Sequence, residues 1–152
     1  MIAQFKPSNA GYKETVIKSF NRQGMMKTIN ASIVAIRPGE IELEFPYQAN
    51  LTQQHGFIHG GIVSTVLDTA CGYAAFSLMP ENGAVLTIEF KVNMLSPAKG
   101  ERFSAVGKVK RPGKNITVTQ GELFSHAEGG QKLVAIMVAT IMSIYDREDI
   151  EL

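Results

Sequence analysis

The most informative stretch of the sequence reads Gln53-Gln-His-Gly-Phe-Ile-His-Gly-Gly-Ile-Val-Ser-Thr-Val-Leu-Asp68. A polar loop containing glycine runs here into apolar residues that recur at intervals of three and four, the spacing of a helical face. Pro80 is a plausible terminator of this helix. The apolar positions are Ile62, Val63, Val66, Leu67, Ala70, Cys71, Ala74 and Ala75. The pattern predicts a helix over residues 60–78 that is apolar nearly all round and therefore buried.

Strand-like segments lie on both sides of this helix. Residues 32–36 and 40–45 flank a Pro38-Gly39 turn and predict a hairpin with one solvated face, and four further strands are predicted over 86–94, 102–110, 115–125 and 132–144. A short amphipathic helix over residues 8–20 opens the chain, with Gly24 as its stop. This order predicts an α+β fold in which one curved antiparallel sheet wraps around the central helix, as a single domain over residues 1–152.

Composition excludes several classes of function. The chain has 152 residues, and its 15 Lys and Arg against 14 Asp and Glu give a formal net charge of +1, which favours neither nucleic acid nor an anionic membrane as a partner. One cysteine provides neither an internal disulfide nor a metal cluster, and the first residues lack the pattern of a signal peptide. We therefore expect a cytoplasmic protein. Its charged fraction of 19% is low and weakly suggests burial between subunits.

Gly60 and Gly61 begin the predicted central helix, where backbone N–H groups lack intrahelical acceptors and carry a partial positive charge. Because glycine has no Cβ, the backbone can approach a ligand carbonyl closely at this end and bind an oxyanion. The alternative is that the two glycines only form a tight junction between loop and helix.

Asp68 lies about two turns into the apolar helix, too far in to cap it. Burying a lone carboxylate costs several kcal/mol unless it is paired, so this residue is a functional candidate. Alternatively it bonds to neighbouring hydroxyls, such as those of Ser64, Thr65 and Thr69, or reaches solvent. With the amide of Gln53 able to orient a water or a carbonyl, the arrangement suits attack on an acyl group.

Two segments resemble the hotdog-fold acyl-CoA thioesterases of the phenylacetate-pathway (PaaI-like) type. The first is 53–68, with His59-Gly60-Gly61 at its centre, and the second reads Leu86-Thr-Ile-Glu-Phe-Lys-Val-Asn-Met-Leu-Ser-Pro-Ala-Lys-Gly100. The resemblance covers about residues 32–144 and includes the order of the elements. It implies a hotdog fold and the hydrolysis of an aryl- or medium-chain acyl-CoA to a carboxylic acid and free CoA.

The resemblance also implies roles for individual residues. The N–H of Gly60 polarises the thioester carbonyl, and Asp68 acts from the neighbouring subunit as nucleophile or general base. Gln53 lies where the family has Asn or Gln and positions the water or the thioester. Thr87 falls where relatives place a Ser or Thr near the attacking water, but strict strand alternation would put it on one face with Glu89, as an ordinary strand residue.

Substrate contacts are implied at the loop and at a distal hairpin. The matched position of His59 shapes the loop and contacts substrate or backbone, with Gly61 beside it, and is not the base. Contacts with CoA phosphates are implied around residues 108–114, although any solvated turn collects basic residues. The candidates there are Arg111, Gly113 and Lys114, with Asn93 on the same rim. The resemblance implies no metal and no cofactor beyond the CoA of the substrate, and it implies a homodimer, with a homotetramer favoured.

A second function from another class stays open at this point. A non-catalytic hotdog module that binds acyl-CoA as a sensor or carrier needs the cleft and the phosphate contacts but no carboxylate facing the thioester. Asp68 together with Gln53 argues against it, and no Asp-rich hydratase motif is present. The sequence indicates neither the acyl group nor the choice between the two roles of Asp68.

Overall fold

The computed structural model describes residues 5–150, which form three α-helices and one six-stranded antiparallel sheet. The helices are α1 (Tyr12–Phe20), α2 (Gly24–Ile29) and α3 (Gly60–Phe76). The strands are β1 (Ser32–Arg37), β2 (Glu40–Pro46), β3 (Gly83–Met94), β4 (Arg102–Arg111), β5 (Ile116–Ala127) and β6 (Gly130–Tyr145). Their order across the sheet is β1-β2-β4-β5-β6-β3, with all neighbours antiparallel. The predicted α+β class and the antiparallel sheet packed on a long helix are confirmed.

The amino-terminal helical region differs from the prediction. The first helix ends at Phe20 as expected, but Gly24 does not stop a helix and is instead the first residue of α2. The helical region therefore continues past residue 25 to Ile29, whose side chain is buried together with that of Met26. Asn30 ends α2 with a φ of 58°, a left-handed conformation that asparagine tolerates better than most residues.

Strand β2 follows the predicted alternation, and β3 and β6 run further than predicted. On β2 the apolar side chains of Ile41, Leu43 and Phe45 are all buried, while the glutamates between them lie on the other face. Strand β3 forms one edge of the sheet and pairs only with β6 among the described residues.

Helix α3 lies directly on the sheet because two strands have glycine beneath it. A Cβ added at Gly107 of β4 would lie 2.3 Å from the carbonyl oxygen of Ala70, and one at Gly121 of β5 would lie 2.9 Å from Leu67 Cδ2. The backbone of α3 therefore approaches the sheet more closely than any side chain at Gly107 would permit. This contact fixes which side of α3 is covered.

Only part of α3 is buried all round, so that prediction was wrong for the first half of the helix. Every residue from Ala70 to Phe76 is buried, whereas Gly61, Ser64 and Asp68 remain partly or fully exposed. The helix ends at Phe76, before Pro80. Between residues 5 and 150, no helix combines the length and apolar character needed to cross a membrane.

Replacing Gly107 by alanine is expected to destabilise the fold, because the new methyl group would meet the backbone of α3 and not a movable side chain. We expect the free energy of unfolding to fall by about 1–3 kcal/mol, the usual effect of overpacking. Urea denaturation measures it. The matched control is Gly24→Ala, whose Cβ meets nothing within 4 Å; equal stability of the two variants would contradict the close contact.

Candidate active site

One side of α3 presents a stripe of small and polar residues that the sheet does not cover. Its members recur at three and four, so they share one helical face. The open stripe consists of Gly61, Ser64, Thr65, Asp68, Thr69 and Gly72. Ser64 Oγ donates to the carbonyl oxygen of Gly60 at 2.9 Å, and Thr65 Oγ1 donates to that of Gly61 at 2.8 Å. Their protons are directed to the helix backbone, so these two hydroxyls do not donate to Asp68.

Asp68 instead accepts a hydrogen bond from a neighbouring strand. Thr87 Oγ1 of β3 donates to Asp68 Oδ1 at 2.7 Å. Asp68 is half-buried and lines a cavity, so of the readings left open by the sequence the carboxylate follows the one in which it reaches solvent. A carboxylate held by one hydroxyl and open to a cavity keeps acceptor sites for a further ligand.

A β-bulge explains why Thr87 faces the helix. Thr87 pairs with Ile141 of β6 whereas Glu89 pairs with the adjacent residue Thr140, so Ile88 is an extra residue in the ladder. The bulge puts Thr87 on the same face as Phe90 although their spacing is three. Glu89 lies on the opposite face and accepts a hydrogen bond from Thr140 at 3.0 Å. Strict alternation, which grouped Thr87 with Glu89, therefore fails at this point.

The open stripe forms one wall of a cavity of about 780 Å³. The opposite wall comes from β3, and one end of the cavity is lined by residues 19–23 and the second half of α3. Lining residues besides the stripe are Ser19, Arg22, Gln23, Tyr73, Phe76, Ala84, Val85, Leu86, Thr87, Phe90 and Ile150. The cavity thus extends from polar groups around Asp68 to a region near Phe76 that has both apolar walls and polar side chains.

The amino terminus of α3 has its own cap. His59 is the N-cap residue, and its Nδ1 accepts a hydrogen bond from the Gly61 amide at 2.8 Å. The Gly60 amide has no acceptor among residues 5–150. His59 therefore has a structural role at this helix end, and its cap leaves the amide of Gly60 available to a ligand.

Gln53 and Gly60 line a second cavity of about 510 Å³, together with Met94 and Ser96. Gln53 Oε1 accepts from the amide of His55, within an exposed loop. Gly60 and Asp68 are eight residues apart, or about 12 Å along the helix axis, and they line different cavities. One chain therefore brings Asp68 together with Thr87, and Gly60 with Gln53, but does not bring the two pairs together.

Cys71 lies one turn from Asp68 but does not resemble a nucleophile. Its side chain is fully buried, and burial raises the pKa of the thiol to about 12, with the nearby carboxylate of Asp68 adding to the effect. The thiol is therefore protonated at neutral pH, as expected of a cysteine that packs as a small hydrophobe.

The distal candidates lie apart from both cavities. Arg111, Gly113 and Lys114 are exposed at the β4–β5 turn, where the carbonyl of Lys114 accepts from the Tyr145 hydroxyl at 3.0 Å. Asn93 pairs with Ile136 on the face of β3 that points away from α3. None of these four residues lines the cavity of Asp68 or that of Gly60.

Sequence reasoning missed the residues at the closed end of the larger cavity. Ser19 belongs to α1 and Gln23 precedes α2, and no local motif connects this region to α3. Gly72 could have been found, because it follows Asp68 by four residues and so shares its face. Within residues 5–150, no group of three or more His, Cys, Asp or Glu side chains is arranged to hold a metal ion.

Comparison with known proteins identifies similar chains. Residues 55–131 match the family model of the thioesterase superfamily. The chain is 30% identical over 106 residues to human acyl-coenzyme A thioesterase 13, covering 68% of this chain and 73% of that protein.

Solved structures agree with the fold. A thioesterase family protein from Silicibacter pomeroyi is 52% identical and superposes with a TM-score of 0.89, covering 90% of this chain and 100% of that one. The Escherichia coli PaaI protein from the phenylacetic acid degradation operon is 20% identical, with a TM-score of 0.79 and coverage of 90% and 96%. At that identity the likeness to PaaI concerns the fold alone.

Replacing His59 by alanine is expected to lower the free energy of unfolding by about 1 kcal/mol, because the Gly61 amide loses its cap. His59→Asn is the matched variant, since asparagine is a good N-cap residue and should retain most of that stability. Chemical denaturation compares the two. A histidine that only contacts substrate would give equal stability in both variants.

Proposed function

Because this chain belongs to the thioesterase superfamily and is a thioester hydrolase, we propose that its substrate is an acyl-CoA, which reacts with water to give a carboxylic acid and free CoA. The observation that carries this proposal is the Asp68 carboxylate, oriented by Thr87 at 2.7 Å on the wall of a large cavity. A module that only binds acyl-CoA has no need of a carboxylate in this position.

Asp68 has two chemically complete roles. As general base, it takes a proton from water while the water oxygen bonds to the acyl carbon, and the thiolate of CoA then leaves and is protonated. As nucleophile, its own oxygen bonds to the acyl carbon and expels the thiolate, and water hydrolyses the resulting mixed anhydride. In both, the hydrogen bond from Thr87 orients the carboxylate, and the Gly60 amide stabilises the negative oxygen of the tetrahedral intermediate.

The proposed site is divided between two subunits. A reacting carbonyl needs a donor and an attacking group each within about 3 Å, and about 12 Å separates Gly60 from Asp68 along α3. Ser64 is midway between them on the open stripe. Two copies of α3 that run antiparallel about a two-fold axis near Ser64 would bring Gly60 of one subunit beside Asp68 of the other.

Strand β3 supports the same assembly. It is an edge strand of twelve residues with apolar side chains that are 43–54% exposed in the single chain. These are Leu86, Ile88, Phe90 and Met94. An exposed apolar edge of this length favours pairing with another strand, and β3 of a second copy would extend the sheet while the two α3 helices meet. We propose a homodimer on this basis and a homotetramer as its further assembly.

The polar and apolar residues around the cavity suggest where the acyl group and the CoA part of the substrate bind. The part of the cavity beyond Asp68, with Phe76 of α3 and Val85 and Leu86 of β3, suits an aryl or medium-chain acyl group. We propose that the CoA phosphates contact Arg111, Gly113 and Lys114, and that His59 and Gly61 contact substrate beside the thioester. Asn93 pairs with Ile136 at the other end of the sheet and is proposed as a separate substrate contact. In this mechanism Gln53 positions the water, and neither a metal nor a further cofactor takes part. A cytoplasmic location remains a prediction.

Asp68→Asn is expected to reduce kcat for acyl-CoA hydrolysis by about 10²–10⁴-fold, because the amide neither accepts a proton nor attacks the carbonyl efficiently. Release of free thiol from phenylacetyl-CoA and octanoyl-CoA measures it. Asp146→Asn is the matched control, since Asp146 is exposed, distant in sequence and has a φ of 51° that asparagine tolerates. If Asp68→Asn stayed folded and hydrolysed at the wild-type rate, the role of Asp68 would be wrong.

Gly60→Pro should remove the proposed oxyanion donor without breaking the helix. Gly60 is the first helical residue after the N-cap, where proline is favoured, and His59 has the extended conformation that precedes proline well. We expect kcat to fall by about 10²–10³-fold. Gly60→Ala is the control, because it keeps the N–H and its methyl meets only the flexible end of Met94 at 3.2 Å. Equal activity of the proline and alanine variants would exclude the Gly60 amide as donor.

Mixing these two inactive proteins tests the division of the site. Asp68→Asn and Gly60→Pro chains refolded together should recover about a quarter of wild-type activity, because half of the dimers are mixed and each mixed dimer has one intact site. Each variant refolded alone provides the control. A site completed within one chain would give no recovery.

A further inference from the structure

Gly72 is the residue of the open stripe that follows Asp68 by one helical turn. A Cβ built at Gly72 meets nothing within 4 Å, although the residue itself is buried and lies on the cavity wall. Gly107 of β4 and Gly121 of β5 differ from Gly72 in this respect, because a Cβ at either position would clash with α3. Packing therefore does not require glycine at position 72, and the space in front of it belongs to the cavity.

The space beyond Gly72 ends at a wall held by hydrogen bonds. The Tyr73 hydroxyl contacts Ser19 Oγ at 3.0 Å and accepts from Gln23 Nε2 at 3.2 Å. Its ring packs edge-on against Phe20 and Phe76, with centroids 5.9 Å apart in both pairs. Because Tyr73 is only 6% exposed and is fixed at both its ring and its hydroxyl, the amino-terminal helices form a rigid end to the cavity.

The distances along α3 indicate how long an acyl group must be to reach Gly72 from Asp68. Gly72 lies one turn, about 6 Å, beyond Asp68, and Phe76 lies about 12 Å beyond it. An acyl group whose carbonyl carbon is beside Asp68 would pass Gly72 before reaching Tyr73 and Phe76. Beyond Asp68 the walls of the cavity include the apolar side chains of Val85 and Phe76, and the polar side chains of Ser19, Arg22 and Gln23 lie at its far end.

We infer that Gly72 determines acyl specificity. Because Gly72 has no side chain, a passage runs along the cavity from Asp68 to Tyr73. Acyl groups that extend more than about 6 Å from the carbonyl carbon occupy that passage. This inference rests on the proposed function, since it assumes that an acyl-CoA reacts at Asp68. It assigns Gly72 no part in the chemistry, so short acyl groups that end before Gly72 are insensitive to the residue there.

A graded series, Gly72→Ala, Gly72→Val and Gly72→Leu, tests the inference. For octanoyl-CoA, kcat/KM should fall with side-chain size, and the ratio of octanoyl-CoA to acetyl-CoA turnover should drop at least tenfold in Gly72→Leu. Activity towards acetyl-CoA should stay near that of the wild type. Gly24→Leu is the matched control: it also replaces a helical glycine whose Cβ meets nothing within 4 Å, but it lies outside the cavity.

Two outcomes would overturn the inference. An unchanged ratio across the series would show that acyl groups do not pass Gly72, and an equal loss for both substrates would show that the residue acts on folding or on the reacting groups. Thermal unfolding checks the fold, and Gly72→Ala keeps the test valid because alanine stabilises a helix relative to glycine.

Binding separates this inference from the proposed function. The dissociation constant of a non-hydrolysable octanoyl-CoA thioether should rise at least tenfold in Gly72→Leu, while that of the acetyl thioether stays constant. If the wild-type protein releases no thiol but binds both thioethers with this pattern, the proposed hydrolysis fails and the acyl passage stands. If the protein hydrolyses octanoyl-CoA but the dissociation constant of the octanoyl thioether is the same in the wild type and in Gly72→Leu, the inferred passage is wrong and the proposed hydrolysis stands.

Discussion

The approach of α3 to the sheet is the constraint on which the rest of the structure depends. Because Gly107 has no side chain, the carbonyl of Ala70 comes within 2.3 Å of the place where a Cβ would lie. This contact fixes the helix about its own axis, with Leu67 and Cys71 against the strands. The face carrying Asp68 is then left uncovered, and the length of α3 separates that carboxylate from the amide of Gly60. The separation of the two halves of the proposed site within one chain follows from how this helix packs.

A second constraint acts within β3. The extra residue Ile88 changes the face on which the earlier part of the strand presents its side chains, so that Thr87 reaches Asp68 while Glu89 points away. The same bulge leaves Ile88 exposed at the sheet edge. One insertion therefore adjusts the proposed active site and the proposed subunit contact together.

Sequence patterns predicted the order of elements and the residues around Asp68, because periodicity and the glycine-rich helix start are local signals. They failed where the structure depends on distant contacts. The face of Thr87 depends on pairing with β6, and alternation along β3 alone gives the opposite answer. The exposure of Asp68 depends on which side of α3 the glycines of β4 and β5 admit.

Gly24 as a helix stop failed because glycine is compatible with either end of a helix. The hydrogen bonds from Ser19 and Gln23 to Tyr73 join segments about fifty residues apart, which no local pattern reveals.

The apolar edge of β3 also matters before assembly is complete. A newly made chain carries twelve residues of strand whose outer hydrogen-bonding groups and side chains such as Leu86 and Phe90 await a partner. Such an edge accepts any extended segment, including one from a misfolded neighbour. If β3 pairs in the proposed dimer, that pairing competes with aggregation during synthesis or refolding, and the apparent stability of the dimer rises with protein concentration. The strand proposed to join two subunits is in this sense also a site of aggregation.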